Sequence, residues 1–176
     1  EPHSIRWVIL LAKRAAELTA RATRSPYEPL SESASRIRDA ILQDQPWVSL
    51  DSLLAYCWSH GVPVIPLQHK PSKSKRVDGL VVRVGERPVI VLACGYRYSA
   101  RLLFIVAHEL GHWVSGHLGS QTVFAEDSIT REGENQEEAE ANWFAVELLT
   151  GKPDKAYWAP RSLTATQLAE GARMAG

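Results

Sequence analysis

The chain has 176 residues, 45% of them hydrophobic, with 20 basic and 20 acidic side chains. That length fits one domain with a helical extension, and a core large enough to need no disulfide staples. Balanced charge removes the broad affinity for nucleic acid or anionic membrane that a basic chain carries, and no apolar run reaches the roughly 18 residues that cross a bilayer.

The two cysteines, Cys57 and Cys94, lie far apart in apolar contexts. They read as buried thiols in a reducing compartment, which implies a cytoplasmic protein. No signal peptide is recognisable. The apolar run Ile5 to Leu11 is broken by Arg6, followed by Lys13 and Arg14, and has no small-residue cleavage site. Glu1 rather than Met stands first, which is compatible with a longer parent chain.

Ile5 to Thr23 has helical periodicity, with Ile5, Val8, Ile9, Leu11, Ala12, Ala15 and Leu18 as its apolar stripe. Ser25-Pro26 ends it. Ser31 or Ser33 caps a second helix to about Gln43, with Ile37, Ala40 and Ile41 inward. Ser49 starts a third, with Leu50, Leu53, Leu54 and Cys57 on one side and His60-Gly61 as its stop. "VPVIPL" (Val62 to Leu67) is β-branched but carries two prolines, so it reads as an edge strand. Lys70 to Arg76 is a basic loop. "VDGLVVRV" and "PVIVLAC", separated by Gly85-Glu86-Arg87, predict a hairpin. Ser99 is the expected N-cap of a helix from Ala100 to about Ser115, stopped by Gly116 or Gly119.

Seven acidic residues and one Arg lie between Glu126 and Glu140. The first part of that stretch reads as loop and Gln136 to Leu149 as a helix. Thr164 to Gly176 has a capping-box start for a last short helix. Helices, then short strands, then helices make an α+β pattern: a helical N-terminal part, a small antiparallel sheet or hairpin, and two packed helices. The expected division is a helical extension at 1–45, a core at 46–153 and a C-terminal tail at 154–176.

Three of the six histidines fall within ten residues of one apolar segment, "LLFIVAHELGHWVSGHL". His108-Glu109-Leu110-Gly111-His112 fits H-E-x-x-H. Histidines at i and i+4 share a helix face and reach one ion. Glu109, about 100° round the helix, suits a general base taking a proton from a water activated by the metal. The nearly all-apolar flank predicts a buried helix, in which two histidines and a glutamate need partners. A third protein ligand is expected. His117 comes one residue too early for the extended three-histidine pattern and, if the helix continues, lies on the wrong face, so it reads as a surface or helix-end residue. In the acidic helix the inward stripe is drawn through Ala141, Asn142, Ala145, Leu148 and Leu149. One turn back lies Glu138, the preferred third ligand; Glu140 falls with Phe144 and Glu147, and Glu134 needs an earlier helix start. Glu140 and Glu134 stay open as alternatives. Two histidines and a carboxylate suit Zn2+ best, with Mn2+ as the other option.

"HELGHWVSGH", followed some 25 residues later by E-x-x-A-N-x-F-A-x-x-L-L (Glu138 to Leu149), resembles the ImmA/IrrE family of zinc metallopeptidases. The lead-in "RYSARLLFIVAHE" is similar as well, and the resemblance covers roughly Trp47 to Leu149. It implies a gluzincin-type enzyme with His108, His112 and Glu138 on zinc and Glu109 as general base. It implies a protein substrate of the helix-turn-helix repressor type, in phage, mobile-element or stress-response regulation. One departure is Pro153, which comes late after the paired leucines and bears on where that helix exits. Some relatives carry an N-terminal DNA-binding domain, but Ile5 to Gln43 lacks the basic clustering for it, and no direct nucleic-acid binding is expected. Two other readings compete: a metal-binding regulator that docks a partner without cutting it, and a toxin–antitoxin component acting through an interaction surface. If Val89 to Ala93 forms an exposed edge, an extended substrate adds there as a strand; an edge covered by another segment is the equal alternative.

Overall fold

The computed structural model describes residues 3–67, 77–93, 98–124 and 134–152. Within them the order is α1 (His3–Ala22), α2 (Ala34–Leu42), α3 (Leu50–Ser59), β1 (Val64–Pro66), β2 (Gly79–Val84), β3 (Arg87–Leu92), α4 (Ser99–Val114), β4 (Val123–Phe124) and α5 (Glu134–Thr150). This is the α+β fold that the element order predicts. The Lys70 to Arg76 loop, Cys94 and the 154–176 tail with its expected helix lie outside the described residues.

The strands form one sheet in the order β1-β3-β2-β4. β2 and β3 are the predicted hairpin, tightened to a two-residue turn because Val84 faces Arg87 directly. Gly85 stands in the left-handed region (φ 64°) that this turn demands and that glycine enters without steric cost. The sheet is mixed rather than purely antiparallel, since β1 runs parallel to β3 with Val64 beside Ile90. The prolines explain why β1 is an edge strand: Pro63 supplies its carbonyl to the Ile90 N–H at 2.9 Å, a bond that needs no N–H of its own. Because β1 takes that side, β3 is interior, hydrogen-bonded on both edges. Of the two alternatives for Val89 to Ala93, the covered edge is the one present.

Alternation along the strands separates two cores. Leu80, Val82, Val89 and Val91 pack with Ala12 and Ala16 of α1. Val81, Ile90 and Leu92 face the larger core, which contains Ile37 and Ile41 of α2, Leu53 and Cys57 of α3, Val106 and Leu110 of α4, and Ala145 and Leu148 of α5. The sheet is therefore a middle layer, with α1 on one face and α4 on the other. The buried stripe of α1 is Val8, Ala12 and Ala16, narrower than the one predicted. Leu11 and Leu18 are about half exposed, because a helix lying flat on a valine-rich sheet is approached most closely along its small residues. Ala40 of α2 is likewise exposed, and Ala34 takes the inward position with Ile37 and Ile41.

Local signals set the helix ends. Ser33 caps α2, and Ser49 with Ser52 forms a reciprocal capping box at α3. At α4 the helix takes in Ser99, and Tyr98 stands at the cap position with no side-chain hydrogen bond. The last carbonyls of α5 are satisfied from α2: Arg38 donates to Leu148 O at 3.0 Å and to Leu149 O at 2.7 Å. Cys57 is a fully buried free thiol whose pKa burial pushes up to about 12, so it is an inert part of the core.

α4 and α5 meet at Gly111. A Cβ there would stand 2.9 Å from Ala141 Cα and 3.0 Å from Ala141 O, both backbone atoms that cannot rotate away. Helix propensity alone would make Gly111→Ala stabilising by about 1 kcal/mol. Overpacking a tight contact costs about 1–3 kcal/mol and outweighs it. Gly111→Ala is expected to lower the denaturant midpoint of the metal-free protein; a raised midpoint would show that the two helices separate freely.

Candidate metal centre

His108 and His112 lie one turn apart on α4, with their Nε2 atoms 2.9 Å from each other. Glu138 reaches them from α5, its carboxylate oxygens 3.3 Å from His108 Nε2 and 3.2 Å from His112 Nε2. Among the described residues these three make the one group of His, Cys, Asp or Glu side chains whose ligand atoms converge as a metal site requires. Ligands about 2.0–2.2 Å from a tetrahedral zinc stand about 3.3 Å apart, close to the separations of both Glu138 contacts. Between Glu138 and Glu140, Glu138 is the one in this group and Glu140 faces elsewhere; the side chain of Glu134, the first residue of α5, lies outside the described residues.

The rotation of α5 explains the choice. Its most buried line runs through Ala141 and Leu148, with Phe144 and Ala145 beside them. Phe144 is therefore inward, contrary to the stripe drawn from sequence. At about 100° per residue, Glu138 and Asn142 fall on one flank of that line and Glu140 on the other. The Asn142 flank faces His108, whose Nδ1 stands 3.0 Å from Asn142 Oδ1. Oδ1 can only accept, so His108 carries a proton on Nδ1, and its neutral form presents the Nε2 lone pair to the cluster. Asn142 was placed on the inward stripe from sequence but given no role; its spacing of four from Glu138 is the signal that pairs them on one flank.

His117 is the clearest departure from the sequence reading. Its side chain is only 5% exposed and lies between His112 Nδ1, at 2.9 Å, and Glu140 Oε2, at 3.0 Å.

Glu109 is 5% exposed and stands against β2. A Cβ on Gly79 would lie 2.7 Å from Glu109 Oε1, so the absent side chain of Gly79 is what leaves space for this carboxylate. Glu109 is near enough to His108 to stabilise its protonated form. Arg101 and Asp78 bridge α4 to the start of β2 at 2.7 Å and hold the two elements in register there.

Burial and charge compete at all three clustered groups. Burial lowers His108, but the Glu138 hydrogen bond and the charges of Glu109 and Glu138 overcome it, and the net shift is upward. Burial prevails at His112, helped by the neighbouring histidines, and its pKa falls. Glu138 would be raised by burial, yet hydrogen bonds from both histidines hold it down to about 2. The cluster thus carries an ionised carboxylate beside one readily protonated and one neutral imidazole, a donor set that a divalent cation can use once His108 gives up its proton.

The sequence profile of the IrrE N-terminal-like domain, Peptidase M78, matches residues 57–169. The chain belongs to this family. It is thus an ImmA/IrrE-family metallopeptidase, and the matched span contains β1 to β4, α4, α5 and every residue of the cluster. No curated protein matches the sequence significantly. Among the described residues of this family member, no helix is long and apolar enough to cross a membrane.

The metal-free ion pair has a worked pH signature. Glu138 has a depressed pKa, so its stabilising effect is present above the ordinary carboxylate value of 4.5 and is lost as pH falls towards about 2. His108 has a raised pKa, so its effect is complete below 6.5 and is lost as pH rises through the higher folded value. After chelation, the melting-temperature advantage of wild type over Glu138→Gln is expected to be largest between about pH 4.5 and 6.5 and to shrink on both sides. An advantage that stays flat from acid to alkaline pH would mean that Glu138 and His108 do not interact in this way.

Proposed function

We propose that the protein is a zinc-dependent endopeptidase that cuts a regulatory protein, with His108, His112 and Glu138 as the metal ligands and Glu109 as the general base. The convergence of the three ligand atoms, with Glu109 beside them, carries this reading. A bound zinc ion would supply Lewis-acid polarisation of the scissile carbonyl and of the attacking water. Glu109 takes the proton from that water and returns it to the leaving amine. Zinc is favoured over manganese by two imidazoles and one carboxylate in a small buried set.

In this reading an extended substrate adds along β2, beside Gly79. Arg83 donates its N–H to Thr122 O on the β4 side of β2. Gly79, four residues earlier on the same strand, turns its backbone groups the same way. β4 pairs with β2 at Val81 and Val82. A peptide added at Gly79 as a strand runs beside Glu109.

The substrate class favoured by the family resemblance is a helix-turn-helix transcriptional repressor, and a reducing cytoplasm suits the free Cys57. In this reading residues 46–153 are the peptidase core and 1–45 a helical extension that braces it through α1 on the sheet and Arg38 on α5.

Glu109→Gln separates cutting from metal binding. The variant is expected to keep its zinc content, measured by elemental analysis, while peptide hydrolysis falls by about 10²–10⁴-fold. It should retain an uncut partner that zinc-loaded wild type then cleaves at one site, mapped by mass spectrometry. A partner that the variant binds and switches normally, and that wild type leaves intact, would replace the peptidase with a regulator that acts by docking.

A further inference from the structure

α4 ends in a Schellman turn. Ser115 is its C-cap, and Gly116 follows in the left-handed conformation (φ 75°). The Gly116 N–H bonds to Trp113 O at 3.1 Å and the His117 N–H to His112 O at 3.1 Å, the paired 5→2 and 6→1 bonds of that motif. This motif folds the residue after the glycine back over the third residue from the helix end. Here those two residues are His117 and His112. A continuing helix would have carried His117 round to another face; the turn instead brings its ring to 5.1 Å from that of His112, nearly perpendicular to it.

The hydrogen bonds beyond His112 have a single direction. If Nε2 of His112 is to face the cluster with a lone pair, its proton is on Nδ1. That N–H donates to His117 Nδ1, which must then be unprotonated. His117 accordingly carries its proton on Nε2 and donates it to Glu140 Oε2. The other oxygen of Glu140 accepts from Gln136 Nε2 at 2.9 Å, which fixes the carboxylate. No step in this chain sets donor against donor. His108 has its own acceptor in Asn142, so each clustered imidazole is held from behind by a different residue.

We propose that His117 and Glu140 are positioning residues for the metal centre: through His112 Nδ1 they fix the tautomer and ring plane that present His112 Nε2 to the ion. The inference rests on the metal-site reading above. Neither residue touches the ion, and both act through His112. Outer partners of this kind orient the ligand and raise its basicity, and their loss costs about 10–100-fold in metal affinity. It also gives two of the glutamates of α5 separate tasks: Glu138 joins the cluster and Glu140 anchors the chain behind it.

The test measures metal rather than turnover. Zinc affinity is determined by competition with a chromogenic chelator for wild type, His117→Ala, Glu140→Ala and the double variant, with Glu147→Gln as a control on the same helix. Each single variant is expected to bind zinc about 10–100-fold more weakly, and the double variant little worse than His117→Ala, because both belong to one chain. Gly116→Ala, which leaves both side chains in place but strains the turn, is expected to weaken binding as well. In the zinc-loaded wild type, long-range ¹⁵N–¹H NMR is expected to show His117 as the neutral Nε2–H tautomer. His117 protonated on Nδ1, or zinc affinity unchanged in folded His117→Ala, would overturn the inference. If wild type itself fails to bind zinc, or binds it equally well after His112→Ala, the failure lies with the metal-site reading instead.

Discussion

Everything at the centre depends on how closely α4 and α5 approach. Glu138 has a short side chain and must touch two imidazoles on another helix at once. It does so because Gly111 faces the backbone of Ala141 with no side chain between them. The same closeness sets Asn142 behind His108 and Glu140 behind His117. One missing Cβ on α4 and one small residue on α5 therefore control several polar contacts together. This gives a physical reason for glycine at the second variable position of the H-E-x-x-H run, a position that the metal chemistry itself leaves open.

The site is also an electrostatic compromise. A carboxylate and two imidazoles are held at hydrogen-bonding distance in a setting that disfavours charge on each of them. Without an ion, the arrangement survives because one proton is shared unevenly: His108 attracts it and His112 does not. The difference comes from their surroundings. Glu109 and Glu138 both act on His108, whereas His112 has two histidine neighbours and deeper burial. Two residues of the same type on one helix face are thereby made chemically distinct.

Much of this was legible in the sequence. The pair His108 and His112 follows from helix geometry, and Glu138 from the periodicity of a helix whose apolar line passes through Ala141. The cap residues Ser33 and Ser49 and the Gly85 turn are local signals and were readable as such. What escaped depends on how elements meet. Phe144 is inward because α5 is rotated by its contact with Gly111, which no pattern within α5 encodes. β3 is interior because a three-residue strand with two prolines pairs with it in parallel, a long-range choice. Leu11 and Leu18 look like core residues in a helical wheel, but the sheet below accepts alanines more closely. His117 is one residue short of the three-histidine pattern and would face away only on a continuing helix, whereas α4 stops before it. The signal against that extension, a glycine two residues past the last helical position and immediately before His117, was present in the chain.

The anchoring of α5 by Arg38 joins opposite ends of the chain. The two residues that meet the guanidinium are 110 and 111 positions away along the chain. The helix that brings Glu138 to the histidines is thus held at its far end by a segment made long before it. The chain entropy lost in closing so long a loop grows only slowly with its length, so the distance along the chain is a tolerable cost. His108 and His112, by contrast, are adjacent as soon as α4 forms. The cluster therefore makes two demands of different range: its two histidines need only α4, whereas its carboxylate needs α5 held against α4 by residues from the far end of the chain.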